Sequence, residues 1–130
     1  MKLIRAKFKN YRLLQDVTLD FSVSESHNLT VIRASNDTGK TTAMDGIQWA
    51  LFGDRILPQD YGFMHVDALR DGENVETSVQ VDYQVDQYDR VRGDFIESFT
   101  VIRTLKRTER ASKVRLYKID EQGQSVPEKE

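Results

Sequence analysis

Apolar and polar positions alternate from the first residues of the chain. Ile4, Ala6 and Phe8 fall on one side and Arg5, Lys7 and Lys9 on the other, the two-residue period of a half-buried strand. Asn10-Tyr11-Arg12 breaks that period. Val17, Leu19 and Phe21 then alternate with Thr18, Asp20 and Ser22, which predicts a second strand paired antiparallel with the first. A polar loop over 22–28 leads to Leu29-Thr30-Val31-Ile32, a short β-rich run of the kind found in buried strands. From Ala43 the period lengthens: Ala43, Met44, Ile47, Ala50 and Leu51 recur three and four residues apart, one apolar stripe of a helix. Gly53 is placed to end that helix, and Trp49 within it reads as a packing residue.

The second half returns to strands. Residues 54–76 are acidic and irregular, with Pro58, Gly62 and an Asp71-Gly72 turn signal, and predict a long loop holding one helical turn. Val79, Val81, Tyr83 and Val85 alternate with Gln80, Asp82 and Gln84; Phe99 to Leu105 and Val114 to Ile119 follow, separated by Gly93 and the polar run 107–112. These predict an antiparallel meander. The fold expected is α/β, a mixed sheet with the helix on one face and the meander beside it. It forms a single lobe over 1–130: strands, loop and helix over 1–54, a connecting loop over 55–76, antiparallel strands over 77–119 and a tail over 120–130.

Composition narrows the class. No apolar run approaches the ~18 residues a membrane helix needs, and no signal-peptide pattern opens the chain, so a soluble cytoplasmic domain is expected. With no cysteine, a disulfide framework and a thiolate metal site are excluded; His27 and His65, far apart, suggest no zinc site. The net charge of −2 conceals three blocks. Residues 1–12 carry Lys2, Arg5, Lys7, Lys9 and Arg12 with no acid, and Asp54 to Glu97 holds eleven acids against four bases. Residues 103–118 hold Arg103, Lys106, Arg107, Arg110, Lys113, Arg115 and Lys118 against Glu109 alone. Basic blocks of this kind suit an anionic partner such as nucleic acid, with Lys106, Arg107 and Arg110 as the contact to test; the plainer alternative is that they are solvated sides of strands.

Between the predicted strand at 29–32 and the helix stands Ala34-Ser35-Asn36-Asp37-Thr38-Gly39-Lys40-Thr41. This is the G-x-x-x-x-G-K-[ST] phosphate-binding pattern with alanine at the first glycine, in the strand–turn–helix setting the pattern requires. Unpaired N–H groups at a helix start, at the positive end of its dipole, hold phosphate oxygens. Gly39 lets the main chain approach them without a Cβ. Lys40 is expected to reach the β- and γ-phosphates and Thr41 to offer its hydroxyl to Mg²⁺; Thr42 follows in the helix. Asp37 sets an acid near the γ-phosphate, although Asp enters left-handed backbone more readily than most residues.

The basic first strand ending Asn-Tyr-Arg, the second ending Leu-Asp-Phe, and Leu-Thr-Val-Ile leading through Asn-Asp-Thr-Gly-Lys-Thr-Thr to Ile-Gln-Trp-Ala-Leu-Phe-Gly resemble the start of the SMC/RecF/RecN superfamily. The motifs cover about residues 1–54, and 77–119 match by strand pattern only. Among its branches the chain most resembles the ATPase of DNA-phosphorothioation (Dnd) defence systems. The resemblance implies a P-loop NTPase fold, the N-terminal lobe of an ABC-type ATPase head, with ATP and Mg²⁺ as cofactors. It implies nucleotide contacts from Asn36, Asp37, Thr38, Gly39, Lys40, Thr41 and Thr42, from Arg12 as a basic residue near the nucleotide, and a structural acid at Asp45.

In that family the head is built from two ends of a longer polypeptide joined by a coiled coil. Heads dimerise on ATP and work on double-stranded DNA. Walker B, the signature motif and the catalytic glutamate lie in the C-terminal part, and nothing in this chain reads as Walker B. Gln122 and Gln124, in a turn around Gly123, are not assigned as the Q-loop. The chain is therefore expected to be an N-terminal piece that binds ATP, with no catalytic residue of its own and hydrolysis requiring the C-terminal lobe. Ala34 and Asp37 motivate one alternative, a degenerate P-loop domain acting as a non-catalytic protein or DNA interaction module. A small nucleotide kinase or GTPase is a third, disfavoured by the missing later motifs and the antiparallel second half.

Overall fold

A computed structural model describes residues 1–12, 14–21, 40–54, 76–106, 109, 111–120 and 122–127, without the side chains of Lys40 and Thr41. Six strands form one sheet: β1 (Lys2–Tyr11), β2 (Leu14–Asp20), β3 (Glu76–Asp89), β4 (Gly93–Lys106), β5 (Lys113–Ile119) and β6 (Ser125–Pro127), in the order β2-β1-β3-β4-β5-β6. One helix, α1 (Lys40–Phe52), lies on it. Every described pairing is antiparallel. The mixed sheet expected from the sequence is thus an antiparallel one among the described residues, and the run at 29–32 lies outside them. The meander continues the first hairpin edge to edge: β1 pairs with β3, so both halves share one continuous sheet.

The alternation in β1 runs out at both ends for identifiable reasons. Ala6 and Phe8 are buried toward α1. A register shift between Leu3 and Arg5 places Ile4 at a bulge, so Leu3 rather than Ile4 packs against the core. At the other end Asn10 takes φ 55°, a left-handed conformation that asparagine tolerates better than most residues. Its Nδ2 donates to Glu76 O at 3.2 Å, and its carbonyl accepts from the buried Thr77 hydroxyl at 2.9 Å. That twist turns Tyr11 inward, where it is 1 % exposed. Arg12, at φ 48°, then starts the two-residue connection to Leu14, as a primed hairpin turn requires.

β3 and β4 are longer than the hydrophobic pattern suggested. They pair from Glu76↔Lys106 to Asp89↔Gly93, whereas β1 stops opposite Gln84 and β5 opposite Ser98. Residues 85–89 and 93–97 therefore extend as a two-stranded ribbon beyond their neighbours. Water reaches the sides of that ribbon, so polar residues on both faces erase the alternation there. The turn is closed by Asp89 Oδ1, which accepts from the Val91 and Arg92 amides. β6, three exposed residues at the sheet edge, is too short to show an alternating pattern.

The core lies between the sheet and α1. Phe8, Tyr11, Trp49, Ala50, Val79 and Val81 are each at most 1 % exposed. A Cβ at Gly46 would stand 2.7 Å from Phe8 Cε1 and 3.1 Å from Tyr11 Cε1, closer than carbon atoms pack, so glycine is what lets α1 lie directly against β1. The outer side of the helix leaves Met44 and Phe52 exposed. No helix among the described residues is long and apolar enough to cross a membrane.

Candidate functional site

The helix of the phosphate-loop pattern begins at Lys40, so the Lys-Thr pair opens its first turn, and it ends where Gly53 was expected to end it. Gly53 adopts φ 96° and donates its N–H to Trp49 O at 2.9 Å, a left-handed helix cap. Thr42 is buried at 8 % exposure. Asn36, Asp37, Thr38 and Gly39 lie outside the described residues, and of Lys40 and Thr41 the structure gives the backbone placement in α1.

Two sets of contacts hold α1 in place. Toward its N-terminal half, the Arg12 guanidinium donates to Asp45 Oδ2 at 3.1 Å and lies 5.8 Å from the Tyr11 ring centroid. Asp45 is five residues into the helix, about 7.5 Å along its axis from Lys40 at ~1.5 Å per residue. The structure thus ties Arg12 to the middle of α1 through Asp45. Burial raises the pKa of the Tyr11 hydroxyl above its ordinary value, with Arg12 opposing and Asp45 reinforcing the rise.

At the C-terminal end Trp49, fully buried, stacks on Tyr11 with ring centroids 5.8 Å apart and donates its indole N–H to Asp54 Oδ1 at 3.0 Å. The other Asp54 oxygen accepts the Ser112 amide at 2.9 Å. Arg103 bridges the same cluster, donating to Ala50 O at 3.3 Å and to the Ser112 hydroxyl at 2.9 Å. It thereby meets a carbonyl left open at the helix end with a cation, where the dipole favours one. Arg103 was counted in the basic block that suits an anionic partner; it faces the helix instead. Lys106 is exposed, while Arg107 and Arg110 lie outside the described residues. Gln122 and Gln124 donate their amides to Asp120 Oδ1 around Gly123, an exposed turn as expected.

Partial burial pushes the Asp54 pKa up, but hydrogen bonds from Ser112 and Trp49 and the nearby Arg103 outweigh it, and the carboxyl sits below the usual 3.8. A depressed carboxyl favours the folded state above its unfolded pKa and loses that contribution as pH falls through the folded one. Stability is therefore expected to decline as pH drops below about 3.9, and Asp54→Asn to flatten that decline. Urea unfolding of both proteins across this range checks it.

The start of α1 suits an anion such as a phosphate. α1 has no acidic residue in its first turn, and the next acid along it, Asp45, is engaged by Arg12. The helix start therefore offers its positive end to an anion without a competing carboxylate of its own. The contacts that sequence reasoning missed, Arg12–Asp45 and Trp49–Asp54–Ser112–Arg103, join distant segments and leave no local spacing to find. None of the curated proteins compared matches the chain. The family described as AAA domain matches residues 5–129, nearly the full length, and the chain, with its phosphate-loop pattern opening α1, belongs to this family of P-loop ATP-binding ATPase modules.

Proposed function

We propose that the chain is the ATP-binding lobe of a DNA-processing ABC-type ATPase of the SMC/RecF/RecN kind, with the Dnd ATPases as its nearest resemblance. The observation that carries the nucleotide part is the start of α1 at Lys40, immediately after Gly39, on a helix clamped to β1 and β4. In this reading the backbone amides of 36–41 hold the phosphates, Lys40 neutralises the β- and γ-phosphates, and Thr41 gives its hydroxyl to Mg²⁺. Arg12 keeps Asp45 neutralised beside them. Bound Mg²⁺ supplies charge stabilisation of the transferring phosphoryl group.

Hydrolysis also needs a group that positions the attacking water and charges that stabilise the transition state. In this reading a C-terminal lobe of the same longer protein, joined to this one through a coiled coil, supplies them, and two heads close on ATP. The purified 130-residue chain is accordingly expected to bind ATP and release phosphate no faster than its Lys40→Ala variant. A steady-state phosphate-release assay tests this; robust turnover abolished by Lys40→Ala would overturn the division of labour.

A further inference from the structure

The two basic blocks, about a hundred residues apart in sequence, reach one surface. On the sheet face turned away from α1, β1 presents Lys7 and Lys9 and β5 presents Lys113 and Arg115, all exposed. The register aligns them in two rows, Lys7–Gln80–Ile102–Arg115 and Lys9–Ser78–Thr104–Lys113. Three strand spacings put the cations of each row about 14 Å apart, and along each strand they repeat at about 7 Å. The result is two cationic rails bordering a floor of amide, hydroxyl and aliphatic groups with no acid between them.

The acids near this end lie at its margins. Asp20 is held by Arg5 at 2.6 Å and Glu109 by Lys113 at 3.3 Å; Asp16 and Glu76 stand opposite Lys9 and Lys106. Toward the ribbon the same face turns acidic through Asp82, Asp86 and Asp94, so an anion is confined to the rail end. Among the described residues neither rail row carries an aromatic side chain: Tyr117 is half-buried one row away and the exposed Tyr88 lies far out on the ribbon, so the rails hold no stacking platform for unpaired bases. The 7 Å repeat is twice the ~3.4 Å axial spacing of phosphates along one DNA strand. The 14 Å span lets long side chains close on phosphate rows flanking a minor groove about 6 Å wide.

We infer that this open sheet face binds the phosphate backbone of double-stranded DNA, with Lys7 and Lys9 on one row of phosphates and Lys113 and Arg115 on the other. The choice of DNA rests on the proposed DNA-processing function; the face itself rests on the register.

The test is fluorescence anisotropy of the full chain with a short labelled duplex, followed from about 50 to 200 mM salt. Lys7→Gln with Lys9→Gln, and separately Lys113→Gln with Arg115→Gln, are each expected to weaken binding about tenfold or more and to lower the salt slope by about two. Arg90→Gln with Lys118→Gln removes equal charge away from the face and is expected to leave the slope unchanged. No duplex binding by the parent, or rail variants that bind like the parent, overturns the inference. Displacement by polyglutamate as readily as by duplex at matched charge would make this an acidic-protein site and overturn it as well. Calorimetry on the same variants separates the two readings. Rail variants that keep nucleotide binding but lose DNA support the face, whereas rail-dependent DNA binding in a chain that binds no nucleotide refutes only the ATP reading.

Discussion

Trp49→Ala is expected to lower the stability of the fold by about 3–5 kcal/mol. The indole is fully buried, stacks on Tyr11 and anchors Asp54, so its removal opens a cavity between α1 and β1 and takes one donor from a carboxylate that also holds Ser112. Against a total of ~5–15 kcal/mol for a domain, this is a large fraction, and at roughly 4 °C per kcal/mol Tm falls by roughly 12–20 °C. Trp49→Phe keeps an aromatic ring against Tyr11 and loses only the N–H, so it is expected to cost about 1 kcal/mol. Thermal and urea unfolding of the three proteins measure both steps. An alanine variant as stable as the parent would mean that α1 is not docked on β1 through this residue.

The parts of the fold that could be read in advance are those where one face is dry and the other wet. β1 through Ala6 and Phe8, β3 through Val79 and Val81, and α1 through Ala43, Ile47 and Ala50 with its Gly53 stop follow the period of burial, whereas Met44, read into the same stripe, is exposed. The period fails where the physics changes. At Ile4 a bulge and at Asn10 a left-handed residue shift the phase by one, and neither is visible in a binary pattern. In the ribbon over 85–97 both faces meet solvent, so there is nothing to alternate. The pairing of β1 with β3 spans some seventy residues and is decided by the complete sheet rather than by any local stretch.

The candidate site divides in the same way. The Gly39-Lys40-Thr41 pattern stands out in the sequence because a phosphate loop is a contiguous device whose chemistry needs adjacent residues, and the structure adds that α1 opens at Lys40. The contacts that position it do not stand out. Arg12 meets Asp45 across thirty-three residues, and Arg103 meets the end of α1 across fifty-three. A resemblance placed Arg12 near the site, but its bond to Asp45 is a property of the folded chain. Arg103 shows the converse error, since its charge suggested a ligand when its partner is the helix carboxyl end.

Lys40→Ala is expected to produce the largest functional loss. Lys40 opens α1, where the helix dipole and unpaired amides already favour phosphate, and its ammonium adds charge-assisted hydrogen bonds worth about 1.5–3 kcal/mol. Removing it is therefore expected to weaken nucleotide binding about ten- to a hundredfold while leaving the unfolding transition near that of the parent, because the core residues of α1 are untouched. A change in binding without a change in stability separates a ligand contact from a structural one.

The most direct measurement is a calorimetric titration of the chain with a non-hydrolysable ATP analogue and Mg²⁺, in parallel with Lys40→Ala. Saturable one-site binding by the parent, lost or strongly weakened in the variant, is the result expected of a working phosphate loop. Equal heats from both proteins, or none from the parent even with a C-terminal lobe supplied, would contradict it and leave the loop without a nucleotide.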